Sequence, residues 1–349
     1  MLSKKHFLII GAGLSGLSVA IQLIRKGAQV TVVDNNENHS SRVAAAMINP
    51  LVFRRMTKGW RVDEFVPALI EFYTSIEKET KTAFFQPIPI RRLFSTEHEA
   101  ELWNKKQHDE RFTDYMETII GSDKNYDKAI NLFGSGRLKN TYSVDSNSFL
   151  ESCKSIIERD GKILNDHFDY TSLTATIYDG VEYSDIIFCE GYLGIHNPWF
   201  SYLPLDPTKG EVLTIKSTKL PEDESLNRKC FNLPLGDKLF KVGSTIDWGN
   251  STTHTTLEGR QEILKKLSLL IDENVEVIEQ QAGVRPGSAD RRPFIGTHPK
   301  NDNYHIFNGL GSKGYMLAPL LSLEFAQHLI EGTELHAEVQ LSRYNKLLL

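Results

Sequence analysis

Gly11-Ala12-Gly13-Leu14-Ser15-Gly16 has the residue types and spacing to cradle a phosphate, and Asp34 follows eighteen residues after Gly16. In a G-x-G-x-x-G turn each glycine removes a side chain where the backbone must bend, meet a ligand or meet a neighbouring strand. Gly11 suits the tight turn, Gly13 the approach of a pyrophosphate, and Gly16 the packing of a helix on a strand. The first helical amides, at Leu14 and Ser15, point at the ligand, and the helix dipole favours its negative charge. A carboxylate at Asp34, with Asn35 beside it, can accept hydrogen bonds from ribose hydroxyls.

Such a turn works only in a strand–turn–helix–strand frame, and the sequence supplies one. Phe7 to Ile10 is wholly apolar, as a strand buried on both faces requires. An apolar-periodic helix runs from Leu14 to Lys26 and closes at Gly27, and Gln29 to Val33 is a second buried strand ending at Asp34. The uncharged stretch Phe7 to Ile24, preceded by Lys4-Lys5, also has the length of a signal peptide or membrane span. Its three glycines, two serines and glutamine dilute that reading in favour of a dinucleotide site.

Composition narrows the class further. The chain is 40% hydrophobic and 24% charged, with 40 basic and 45 acidic residues and a formal charge of −5. That is globular composition with length for two domains. It gives no global positive field to recruit nucleic acid or anionic lipid. Cys153, Cys189 and Cys230 are scattered, with no metal-ligand spacing, which fits a reducing cytoplasm and no metal site.

Further along, Arg42 to Pro50 reads as a short Ala-rich helix capped by Ser40 or Ser41. Its small side chains suit either a segment pressed on a flat cofactor or an ordinary helix. Arg54, Arg55, Lys58 and Arg61 make a cationic cluster around Trp60, either an anion site or a solvated face. Asp63 to Lys81 is an amphipathic helix with Phe65, Leu69, Phe72 and Ile76 on one side. Residues 84–141 have the look of an insertion, with a helix over Glu97 to Arg111 and a stretch from Gly121 to Lys139 rich in Asp, Asn and Gly. Tyr183 to Cys189 is another buried strand that runs into Glu190-Gly191. Strands over Lys229 to Leu233, Lys238 to Gly243 and Asn274 to Ala282 follow. Tyr304 to Phe307 then runs into Gly309-Leu310-Gly311-Ser312-Lys313-Gly314-Tyr315-Met316, a second glycine-rich turn before an apolar helix.

Four separated blocks resemble the FAD-dependent D-amino-acid oxidase-like superfamily, the group with glycine oxidase and sarcosine oxidase. They are the glycine turn with Asp34; Ser41-Arg42-Val43-Ala44-Ala45 running to Asn49-Pro50; Gly283-Val284-Arg285-Pro286 with Asp290-Arg291-Arg292-Pro293 and Ile295-Gly296; and Asn308-Gly309 with Gly314-Tyr315 and Ala318-Pro319. The last block is also similar to the oxidase domain of the bifunctional tRNA 5-methylaminomethyl-uridine enzyme.

The resemblance implies an α/β chain (α+β overall). A Rossmann-like FAD-binding domain would take residues 1–83, 142–200 and 276–349. A discontinuous substrate domain on a mixed β-sheet would take 84–141 and 201–275. It implies hydride transfer from an amine C–H to flavin N5, with imine hydrolysis and reoxidation by oxygen or another acceptor. The flavin mainly does this chemistry and the protein aligns the reacting carbon. Implied cofactor-binding residues are Gly11, Gly13, Leu14, Ser15, Gly16, Asp34, Asn35, Ser41, Arg42, Ala44, Ala45, Gly191, Gly311, Ser312, Lys313, Gly314, Tyr315 and Met316. Met47, Asn49, Arg285 and Ser312 would meet substrate. Arg285 matches the family arginine that pairs with a substrate carboxylate, a task suited to the guanidinium fork. Lys241 sits where the sarcosine-oxidase branch carries a lysine that promotes reaction with oxygen. Ser312 stands where the glycine-oxidase branch has a second arginine, which argues against glycine-like substrates. No cysteine lies near the last block, so FAD is expected to be non-covalent.

The expected substrate is a small amine or amino acid, including N-substituted ones. A carboxymethylaminomethyl group of tRNA is the first alternative and a non-catalytic flavin-binding role the second. Neither a membrane association nor an oligomeric state is implied.

Overall fold

β1 (His6–Ile10) is buried from Phe7 onward, and β2 (Gln29–Asp34) runs parallel beside it. Between them α1 (Leu14–Arg25) buries Leu17, Val19, Ala20, Ile21 and Leu23. This computed structural model describes residues 4–37, 40–53, 55–119 and 123–348. Arg54 of the cationic cluster, residues 38–39 of the polar loop and Gly121 lie outside the described residues.

β1 and β2 are central to a six-stranded sheet. Its order is Lys162–Asn165, β2, β1, Asp185–Phe188, Asn301–Asn308 and Phe294–His298. The first four pairings are parallel and the last is an antiparallel hairpin. One face is covered by α1 and the helices Val62–Thr80, Ser146–Asp160 and Gly314–Glu331. The expected stripe of Phe65, Leu69, Phe72 and Ile76 is buried there. The other face carries an aromatic cluster that includes Phe168, Phe188, Phe200 and Tyr304. A sheet so covered must have apolar strands on both sides, which is why β1 reads as a continuous apolar run.

A second, eight-stranded mixed sheet is built around the long strand Leu205–Lys216. It includes Ile90–Leu93 and Ser135–Leu138 from the apparent insertion, and only the pairing of Ile90–Leu93 with Ser225–Arg228 is parallel. Together the two sheets form the Rossmann-like layer and the mixed-sheet layer of an α/β fold.

The structure differs from the expectation in two places. Glu276–Ser288 pairs with Leu205–Lys216 along its length, so these residues belong to the eight-stranded sheet and not, as a boundary at 276 implies, to the first layer. The Ala-rich helix stops early: it spans Ser40–Val43, Ala46 takes φ of 49°, and Met47–Ile48 pairs with Tyr142–Ser143. The helical preference of alanine yields there to a strand pairing. The stretch from Phe7 to Ile24 is a strand and a helix of 12 residues, and among the described residues no helix is long and apolar enough to cross a membrane.

Candidate active site

The strand ends of the first sheet open into a cavity of about 460 Å³. Gly11 follows β1, Asp34 ends β2, Asp166 follows Lys162–Asn165, and Cys189 to Gly191 follow Asp185–Phe188; all line it. Ligands of parallel sheets bind outside the carboxyl ends of strands, where helix starts and loops converge.

The glycine turn is shaped by close contact. A Cβ built on Gly16 would lie 1.9 Å from the Gly11 carbonyl oxygen, so only glycine lets α1 begin this close to β1. The Asp34 carboxylate accepts from the backbone N–H of Ala12 and of Asn36, which ties the end of β2 to the turn. Ser41 Oγ accepts from Leu14 N–H at 3.0 Å and so covers one of the helix-start donors. Tyr315 O–H donates to the Ser41 carbonyl at 2.8 Å, and Tyr73 O–H donates to the Tyr315 carbonyl at 2.7 Å. The segment before the short helix is thereby fastened to the start of the last helix.

Arg285, carried by the strand Glu276–Ser288, lines the same cavity. Its Nη2 donates to Ser244 Oγ at 2.8 Å and its Nη1 to the Lys209 carbonyl at 3.5 Å. Among the described residues no carboxylate pairs with it, and burial holds its pKa below the ordinary arginine value. Room for the guanidinium exists because residue 210 is glycine: a Cβ there would lie 2.1 Å from Nη2. A largely buried cation without a counter-ion is costly and is relieved by an anionic ligand.

Lys313 also lines the cavity, with Nζ 3.4 Å from the Asn49 carbonyl; burial pushes its pKa down to about 8. Glu190, which follows Asp185–Phe188, is a half-buried carboxyl. It accepts from Tyr170 O–H and, at 2.8 Å, from Asn197 Nδ2, and burial pushes it up to about 7.

Of the expected residues, Gly11, Gly13, Leu14, Ser15, Asp34, Asn35, Ser41, Ala44, Ala45, Met47, Gly191, Arg285 and Ser312 line this one cavity, as do Gly311, Lys313, Gly314, Tyr315 and Met316. Four expected residues are not brought into it. Gly16 lies behind the turn. Arg42 is drawn outward to Asn147 and the Glu151 carboxylate. Asn49 turns its Oδ1 to the N–H of Leu51. Lys241 aims Nζ at the carbonyls of Val43 and Ala44, at 3.4 and 3.5 Å, beneath the cavity wall. Burial lowers its pKa. The cationic cluster is largely consumed by the protein itself: Lys58 pairs with Asp63, and Arg61 with Glu64 and Glu324.

Asp166, His167, Tyr170, Glu190 and His196 also line the cavity and were missed. Their signal was position, since Asp166 and Glu190 come just after parallel strands.

The family model for FAD dependent oxidoreductases matches residues 6–328. The chain belongs to this FAD-dependent oxidoreductase family. Among characterised relatives, glycine oxidase of Bacillus subtilis is 28% identical over 169 residues, 47% of this chain and 43% of that protein. Glycine oxidase of Bacillus licheniformis is 23% identical over 345 residues, covering 91% of each. The crystal structure of glycine oxidase from Geobacillus kaustophilus superposes with a TM-score of 0.80 at 16% identity, over 98% of both chains. The family member is therefore an FAD-dependent enzyme of the D-amino-acid oxidase superfamily with this two-sheet fold. Its own residues fit the cofactor: the glycine turn at the start of α1 and a second glycine-rich helix start, Gly311 to Met316, line the same cavity.

Proposed function

We propose that this flavoenzyme oxidises an amine bearing a carboxylate, an amino acid or N-substituted amino acid, with non-covalent FAD. The observation that carries the reading is Arg285: a largely buried guanidinium with no counter-ion among the described residues, in the same cavity as the glycine turn. A carboxylate on this fork would fix the neighbouring carbon, and a bidentate pair restrains orientation as well as distance.

In this reading Gly11, Gly13, Leu14 and Ser15 receive the phosphates, and Asp34 the ribose. Gly311 to Met316 line another part of the same cavity. Bound FAD supplies the acceptor for the hydride that leaves the amine-bearing carbon. Arg285, held by Ser244, orients the carboxylate. Met47 and Ser312 line the space around the reacting carbon, and Ser312 offers a neutral hydroxyl there. Lys241 supports the wall segment through its two carbonyl contacts, which makes it a positioning residue. The imine product hydrolyses in water, and oxygen or another acceptor takes the electrons. The names of the glycine oxidase relatives support an amine substrate. A tRNA substrate is less well supported, because Lys58 and Arg61 already pair with Asp63, Glu64 and Glu324.

The test is an absorbance spectrum of the purified protein followed by an anaerobic screen of amino acids and N-alkyl amino acids. Flavin bands bleached by one such compound establish the reading. Flavin bands that no such compound bleaches, together with bleaching by an amine lacking a carboxylate, refute it.

A further inference from the structure

A second cavity of about 710 Å³ adjoins the first, and Phe231 and Ser244 line both. Ser244 Oγ accepts from Arg285 at 2.8 Å, so the junction lies beside the guanidinium. Three neighbouring strands meet there. Val212 on Leu205–Lys216 and Phe231 on Cys230–Gly236 both stand opposite Gly243, the last residue of Leu239–Gly243. A Cβ on Gly243 would lie 2.9 Å from Val212 Cγ1 and 3.3 Å from Phe231 Cζ. The Phe231 ring therefore rests against the space left by the missing side chain, at the boundary of the two cavities.

The charged lining of the second cavity is already engaged by the protein. Arg92 donates to the Glu99 carboxylate at 2.7 Å and to Asn227 Oδ1 at 2.6 Å, and its guanidinium lies over the Phe53 ring. Lys266 pairs with Glu262 at 2.6 Å and donates to the Ser244 carbonyl at 3.0 Å. Lys229 is exposed to solvent. What these pairings leave to a ligand is the apolar surface of Phe53, Met56, Leu102, Phe231 and Ile246. Ile246 is 59% exposed, so part of that surface meets water. Covering it with an apolar group is favourable in proportion to the area removed from water.

We propose that the second cavity takes an extended, uncharged substituent of the substrate, and that Phe231 sets which substituents pass. The substrate class is then an amino or N-substituted amino acid whose carboxylate sits on Arg285 and whose apolar chain runs past Phe231. The proposal rests on the amine-oxidation reading above.

The test uses the FAD-loaded protein and the non-reactive straight-chain acids acetate through octanoate, followed by perturbation of the flavin absorbance. Once the chain is long enough to pass Phe231, the dissociation constant should fall about fourfold per added methylene. Phe231→Trp narrows the junction, and Ile246→Asp places a charge on the apolar wall. Each should flatten that gain far more than it alters acetate binding. Equal affinity along the series, or a gain that both variants leave intact, overturns the proposal while the Arg285 reading stands. A dicarboxylate that binds tighter than the monocarboxylate of equal length overturns it too, because the cavity then takes a charge. If no acid perturbs the flavin, the Arg285 reading fails and the second seat fails with it. Ile246 is exposed, so Ile246→Asp decides the matter if Phe231→Trp does not fold.

Discussion

Gly210 and Arg285 share one space: the guanidinium lies where the side chain of residue 210 would begin, with Nη2 2.1 Å from the site of the absent Cβ. The two residues sit on neighbouring strands, two register positions apart, since Arg285 pairs with Thr208 and Gly283 with Gly210. The position of the guanidinium is therefore set by what the facing strand omits.

Gly210→Ala should displace the guanidinium without touching the glycine turn. Its FAD content and absorbance spectrum should match the wild type. KM for the amino-acid substrate should rise by about one to two orders of magnitude, the scale of a lost charged contact. Steady-state kinetics beside a flavin spectrum check this, and an unchanged KM would remove the anion-seat argument.

Arg285→Met should separate binding from stability. Losing a buried cation that has no counter-ion, in exchange for an apolar side chain of similar length, should raise unfolding free energy by on the order of 1 kcal/mol. The same change should abolish perturbation of the flavin by carboxylic acids. Urea denaturation and acid titration of one preparation measure both effects.

Glu190 gives a pH-dependent difference with a definite sign. Its folded pKa, about 7, lies above its ordinary 4.5, so the fold binds a proton more tightly than the unfolded chain does. The contribution is favourable at low pH and is lost as pH rises from 4.5 through 7. Glu190→Gln should therefore be more stable than the wild type at pH 8 and show no such gain at pH 4.5. Urea midpoints of both proteins at the two values provide the comparison.

For Lys313 the folded pKa, about 8, lies below the ordinary 10.5. The fold then disfavours the ammonium, and the penalty is present in full below pH 8 and relieved as pH rises toward 10.5. Cofactor-free protein should gain stability over that interval relative to Lys313→Met. Affinity for FAD should move the opposite way, weakening above pH 8 in the wild type and much less in the variant. Fluorescence titrations at pH 7 and pH 9 test this.

Local features were legible in the sequence and contacts between distant segments were not. Gly11 to Gly16, Asp34 and the strands around them are contiguous, so spacing alone places them. Arg285 was readable through the Gly-Val-Arg-Pro block, but its counter-ion state and its dependence on Gly210 arise only when two strands pair. Ala44 to Ala46 misled because their intrinsic preference is helical, whereas the pairing of Met47–Ile48 with Tyr142–Ser143 draws the chain out of the helix. Arg42 and Lys241 were placed by family position, yet Glu151 and the Val43 and Ala44 carbonyls decide where they point. Glu190 stood in plain view after a strand, but nothing local marks its contacts with Tyr170 and Asn197.

The long pairing of Leu205–Lys216 with Glu276–Ser288 also acts as a reading frame. Successive residues of a strand face opposite ways, so a one-residue slip exchanges the two faces. Here it would turn Val284 toward the cavity and Arg285 away from it. The ladder does contain one irregularity, where Thr214 pairs with Glu279 and Ile215 with Val277, and the skipped Ile278 is left exposed. The extra residue is thus absorbed at the far end of the strand, and the stretch from Glu279 to Arg285 keeps its phase. Loss of Ile278 would leave that phase intact, whereas loss of a single residue between Gln280 and Val284 would invert it.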